Sequence, residues 1–145
     1  MAIVSMLNRM RAFEDVSLLV LRLFVGSFLV WGVSDNLFRP EDMAEFVAFV
    51  QANGFAFPLA MAWISVCAQF VCGLLFIAGA LTRWAALIMV FNFIVALIMV
   101  HLGDDYRGMF PVLALIFISL HFAARGAGAY ALDKYIEART SNAPA

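Results

Sequence analysis

The sequence predicts an all-α membrane protein: a four-transmembrane-helix bundle with a short amphipathic helix in its first outer loop. Three observations carry this expectation. Residues 16–34, 57–80, 84–102 and 109–124 form apolar runs nearly free of charge, and a helix needs about 20 such residues to cross the hydrocarbon core. Hydrophobic residues make up 66% of the 145-residue chain, with a mean hydropathy of +0.98, well above the roughly 45–50% apolar content of soluble domains. Between the first two runs, Met43, Phe46, Val47 and Val50 recur at i, i+3, i+4 and i+7, which is one apolar face of a helix. The whole chain, 1–145, reads as a single membrane domain whose first partner is the lipid bilayer.

The first run follows Arg9 and Arg11 and contains Arg22. A signal-peptide core is usually about 7–15 residues and carries no arginine, so the run is expected to remain as an uncleaved first span. The amphipathic helix is expected over 42–51. Pro40 suits its first turn, and Glu41 and Asp42 face the positive end of the helix dipole. Asn53-Gly54 suits its stop. Its polar face is acidic, which argues against attraction to anionic lipid. It is either a lid over the bundle mouth or a plain interfacial connector.

Gly79-Ala80-Leu81-Thr82-Arg83 leaves only a tight turn between the second and third spans. These spans must be antiparallel neighbours, with Thr82 as the expected cap of the third. The fourth span is broken by Gly126-Ala127-Gly128-Ala129. Cys67 and Cys72 lie five residues apart on the second span. They point about 140° away from each other at 3.6 residues per turn, so no disulfide between them is expected.

Cation placement sets the orientation. Arg9, Arg11, Arg83, Arg125, Lys134 and Arg139 fall on one side of the four spans, against Arg39 and Arg107 on the other. Both termini are therefore expected in the cytoplasm, in a bacterial inner membrane. The net charge of −1 offers no basic surface for nucleic acid.

A charge inside a span is costly and marks a functional site by default. Arg22 lies six residues past Val16, about 9 Å into the core at 1.5 Å per residue. It shares a face with Leu18, Gly26 and Leu29. Ser65, Gln69, Cys72, Gly73 and Phe76 share a face on the second span, and Ala85, Met89, Asn92, Ala96 and Met99 on the third. Small and polar residues mark faces where membrane helices approach one another. The expectation is one shared interior in which Arg22, Gln69, Asn92 and Ser119 form a ligand-binding pocket, with His101 and His121 as secondary candidates. The competing readings are a snorkelling Arg22, Gln69 and Asn92 as packing contacts, a neutral hydrogen-bonded His121, and an interfacial His101. Two histidines, no buried carboxylate and no paired-cysteine motif predict no metal site. No phosphate loop or nucleophile elbow is present.

Several segments resemble the DoxX family of small bacterial membrane proteins. These are Leu21-Arg22-Leu23 with Gly26, Trp31-Gly32, Leu37-Phe38, the run from Gly73 to Arg83, Val100-His101-Leu102, and Gly126 to Asp133. The resemblance covers roughly 16–135. It implies a four-helix bundle and kinship with membrane subunits of thiosulfate:quinone oxidoreductase. This chain has Gln69 where members usually carry a glutamate, Trp31 where they often carry a histidine, and Asn36 where they often carry a lysine. A neutral Gln69 cannot exchange a proton near neutral pH. The expected role is an accessory component of a redox or stress-related membrane assembly, with a membrane or redox protein as partner and no resident cofactor. The alternative is a catalytic or quinone-binding redox subunit, and a small-solute carrier is the weaker third.

Overall fold

The computed structural model describes residues 2–141. Helix α1 spans Ala2–Phe38, α2 Pro40–Ala52, α3 Pro58–Ala78, α4 Thr82–Ala96, α5 Tyr106–Arg125 and α6 Leu132–Ser141. A π-helical turn, Leu97–His101, continues α4. The stretches Phe13–Phe38, Pro58–Ala78, Thr82–His101 and Tyr106–Arg125 are long and apolar enough to cross a membrane. The protein is thus an all-α, four-span membrane bundle with a short helix in its first loop.

No proline interrupts the chain before Pro40, so α1 runs unbroken for 37 residues. At 1.5 Å per residue that is about 55 Å, well beyond the roughly 30 Å hydrocarbon core. The surplus extends toward the N-terminus. Pro40 opens α2 with Glu41 and Asp42 in its first turn, and its buried residues are Met43 and Val50. They pack with Val33 of α1 and Ala62 and Val66 of α3, with Phe46 and Val47 partly buried beside them. Asn36 Nδ2 donates to the Asp42 carbonyl at 3.1 Å, tying the end of α1 to the start of α2.

The spans alternate in direction, α1 against α3 and α4 against α5, with α3 and α4 joining the two pairs. At the α1–α3 crossing the backbones nearly touch. A Cβ on Gly26 would lie 2.7 Å from the Gly73 carbonyl oxygen, and one on Gly73 would lie 2.9 Å from that of Gly26. Small residues of this kind allow membrane helices to gain dispersion contact in the absence of a hydrophobic drive. The core is built from all four spans, including Val25, Leu29, Phe76, Met89, Ile116 and Phe122. Phe76 and Phe122 meet edge-on with centroids 5.0 Å apart.

The cap of α4 departs from the sequence expectation. Thr82 lies inside the helix and Leu81 precedes it in the left-handed region at φ 48°. The acceptor comes from a distant segment: the Asp133 carboxylate takes the amides of Leu81 (2.6 Å) and Thr82 (3.0 Å). An ionised oxygen satisfies these first-turn donors more strongly than a hydroxyl would. The Thr82 hydroxyl is buried without a partner among the described residues.

Candidate functional site

Arg22 is 1% exposed and is the largest fully buried side chain of the described residues. Its Nε donates to the Phe76 carbonyl at 3.0 Å, Nη2 to the Tyr130 carbonyl at 3.0 Å, and Nη1 to the Ala127 carbonyl. Phe76 belongs to the last turn of α3, at the negative end of the helix dipole, and its carbonyl also accepts the Gly79 amide at 3.3 Å. Ala127 and Tyr130 belong to the segment linking α5 to α6. Helical side chains lean toward the N-terminus of their helix, so Arg22 reaches toward the end of the bundle that carries both termini. It does not snorkel into water, because the 126–131 segment roofs it. Gly79, at φ 68°, passes close to it: a Cβ there would lie 2.8 Å from Arg22 Cζ.

The shared pocket expected of Arg22, Gln69, Asn92 and Ser119 does not form as one site. Gln69 and Asn92 line a separate groove between α3 and α4, and neither Arg22 nor Ser119 borders it. The groove measures about 500 Å³, within the usual range for small-molecule sites. Its walls are apolar except for Ser65, Gln69, Asn92 and His101. Phe46, Phe49 and Val50 of α2 close the end of the groove nearest the first loop. The loop helix is therefore a roof over the groove as well as a connector.

Three of the polar groups form a chain. Gln69 Nε2 donates to Ser65 Oγ at 3.1 Å, and Ser65 Oγ donates to Asn92 Oδ1 at 3.0 Å. Gln69 Oε1 and Asn92 Nδ2 then have no partner among the described residues. An uncommitted acceptor on Gln69 and an uncommitted donor on Asn92 thus belong to two residues that line the same apolar cleft, each about halfway along its span. His101 stands toward the same end of the groove as α2, where the π-helical turn ends. Its Nδ1 lies 2.7 Å from Asp104 Oδ2, which orients the ring. Wide helical turns of this type often occur at functional positions.

The remaining candidates lie elsewhere. Ser119 is buried on the face of α5 that carries Val112, Ile116 and Phe122, and its hydroxyl has no partner among the described residues. His121 is exposed on α5, with its ring 6.4 Å from that of Phe122. It faces outward, and its ring makes none of the hydrogen bonds expected of it among the described residues. Trp31 also faces outward, at 76% exposed. Two participants were absent from the candidate set: Ser65, although its i, i+4 spacing from Gln69 was legible, and Asp104. No group of three or more His, Cys, Asp or Glu among the described residues could hold a metal ion.

The family model described as DoxX matches residues 17–102, more than half of the chain. The protein belongs to the DoxX family. The matched stretch contains Arg22 and all four polar residues of the groove, and it stops before α5 and Asp133. No curated protein and no solved structure matches this DoxX protein.

Proposed function

We propose that this DoxX protein is an accessory component of a redox or stress-related assembly in a bacterial inner membrane, and that its part is to bind a quinone-like amphiphile in the α3–α4 groove. The observation that carries this reading is the Gln69–Ser65–Asn92 chain inside apolar walls. A quinone carbonyl would accept from Asn92 Nδ2, and a hydroquinone hydroxyl would donate to Gln69 Oε1, so the same two amides serve both states. Ile64, Ile88 and Phe91 line the groove yet are 61%, 49% and 71% exposed. In a bilayer such surface faces hydrocarbon, so the occupant arrives through lipid. No carboxylate lines the groove, which favours binding over proton transfer at mid-membrane.

The test is quinone content after purification in mild detergent. Asn92→Leu and Gln69→Leu keep the spans apolar. Each removes a hydrogen bond worth about 1 kcal/mol, and each is expected to reduce retained quinone about five-fold. Equal retention in both variants, or no quinone in the unaltered protein, would sink the reading.

The proposal also places both termini in the cytoplasm, on the six-to-two cation split. Single cysteines at Ser5 and at Asn142, which lies outside the described residues, should then be labelled by an impermeant thiol reagent only after permeabilisation. One at Asp104 should be labelled in intact spheroplasts. The measurement needs Cys67 and Cys72 replaced first, since both are free thiols. Labelling of Asn142 in intact spheroplasts would invert the topology.

A further inference from the structure

We propose that a second cleft, at the end of the bundle carrying both termini, is a phospholipid headgroup site in which Arg83 and Lys134 hold the phosphodiester of a lipid from that leaflet. This site is independent of the α3–α4 groove. The cleft measures about 690 Å³ and lies where α4 begins and α5 ends, beside α6. The membrane-crossing segments end at the same level, so the cleft sits at headgroup depth.

Its cations are arranged to take an external anion. Arg83 Nη1 donates to the carbonyls of Ala123 (3.2 Å) and Ala124 (3.0 Å), the last turn of α5. These bonds fix the guanidinium, while its Nε and Nη2 have no acceptor among the described residues. Lys134 is exposed on the cleft lining and likewise makes no hydrogen bond or ion pair there. The third cation, Arg125, is committed to Glu14 through Nε at 2.8 Å. Two of the lining acids are occupied by backbone amides: Asp15 accepts from Ala129 at 3.0 Å, and Asp133 caps α4. Glu137 completes the lining acids, so cations and acids balance at three each. A balanced cleft with two uncommitted cationic groups suits a monoanionic phosphodiester better than a polyphosphate. Leu81 and Trp84 border the cleft, 59% and 69% exposed. They offer apolar surface to the start of an acyl chain, which a soluble phosphate would not use. Basic pockets between helices at this depth recognise lipid headgroups by the same chemistry.

The full chain, purified in detergent, is incubated with phosphatidylglycerol and lipid binding is read by native mass spectrometry. A parallel arm adds soluble glycerol 3-phosphate as competitor. One bound lipid is expected, and Lys134→Gln and Arg83→Gln should each weaken it about five-fold. Arg107→Gln, an exposed cation at the opposite end of the bundle, should leave it unchanged. Arg83→Gln also releases the end of α5, so Lys134→Gln decides the matter if that variant fails to fold. Equal binding by Lys134→Gln and the unaltered protein overturns the proposal. Displacement of the lipid by an equal concentration of glycerol 3-phosphate overturns the lipid source in favour of a soluble phosphate.

Discussion

Arg22→Leu is expected to insert into the membrane normally and to lose roughly 3 kcal/mol of stability. Insertion should survive because leucine is favourable, and arginine unfavourable, within a span. The stability loss has a definite source. Arg22 donates to three carbonyls, on Phe76, Ala127 and Tyr130, and hydrogen bonds from a charged group contribute about 1.5–3 kcal/mol each. Part of that sum is offset, because removing the arginine also removes the cost of burying its charge. What remains is the loss of the donor to the Ala127 and Tyr130 carbonyls of the 126–131 segment, while the Phe76 carbonyl keeps the Gly79 amide. The clearest readout is amide hydrogen exchange in detergent: residues 127–133 should lose protection first, followed by Leu81 and Thr82 as Asp133 leaves their amides. Unchanged exchange across 127–133 would show that the arginine does not hold this segment. Arg22→Lys should restore only part of the protection, since a single ammonium cannot reproduce the three-pronged donor geometry.

Gly79→Ala is the second large effect, with an expected loss of about 2–4 kcal/mol. Two costs combine at this position. The residue adopts φ 68°, a left-handed conformation that disfavours any Cβ by about 1–2 kcal/mol. The added methyl would also lie 2.7 Å from Ala131 Cβ and 2.8 Å from Arg22 Cζ and Nη2. Overpacking of that kind typically costs a further 1–3 kcal/mol. The guanidinium cannot retreat without surrendering its carbonyls. The methyl and the arginine therefore compete for one space, and the double variant Arg22→Leu/Gly79→Ala should lose less than the two single losses added together. Thermal unfolding of the four proteins in one detergent measures this coupling. Strict additivity would show that Gly79 acts only through its own backbone.

Both effects centre on a part of the molecule whose meaning was hard to read along the chain. Leu21-Arg22-Leu23 and the Gly126–Asp133 run each stand out in the sequence. Nothing in their spacing says that one closes onto the other, because the contacts of Arg22 are made to backbone carbonyls. A carbonyl acceptor exists at every residue and leaves no mark on side-chain identity. The same reason explains the cap of α4: Thr82 has the right side chain in the right place, yet a carboxylate 51 positions away takes the amide. The groove was partly legible. Ser65 and Gln69 stand four residues apart on one face, and Asn92 lies on the facing stripe of the next span. Their meeting follows from the tight turn between α3 and α4. The exclusion of Arg22 from them does not follow from periodicity, since a stripe fixes the face of a helix but not the height at which a long side chain ends.

The sequence by itself determined the bundle. Length and apolarity of the runs specify four spans, because only a helix satisfies its own backbone in hydrocarbon. The amphipathic spacing of Met43, Phe46, Val47 and Val50, with Pro40 ahead of it, specifies the loop helix. Gly26 and Gly73 mark the faces on which α1 and α3 approach. Tertiary structure alone decided which polar groups meet. It sent Arg22 to the terminal end beneath the α5–α6 segment, left Gln69, Ser65 and Asn92 as a chain in a groove under α2, and turned His121 outward. The division has one physical cause. Apolar burial in a bilayer is set by each segment's own composition, whereas a hydrogen bond between segments depends on the axial offset and rotation at which the helices pack.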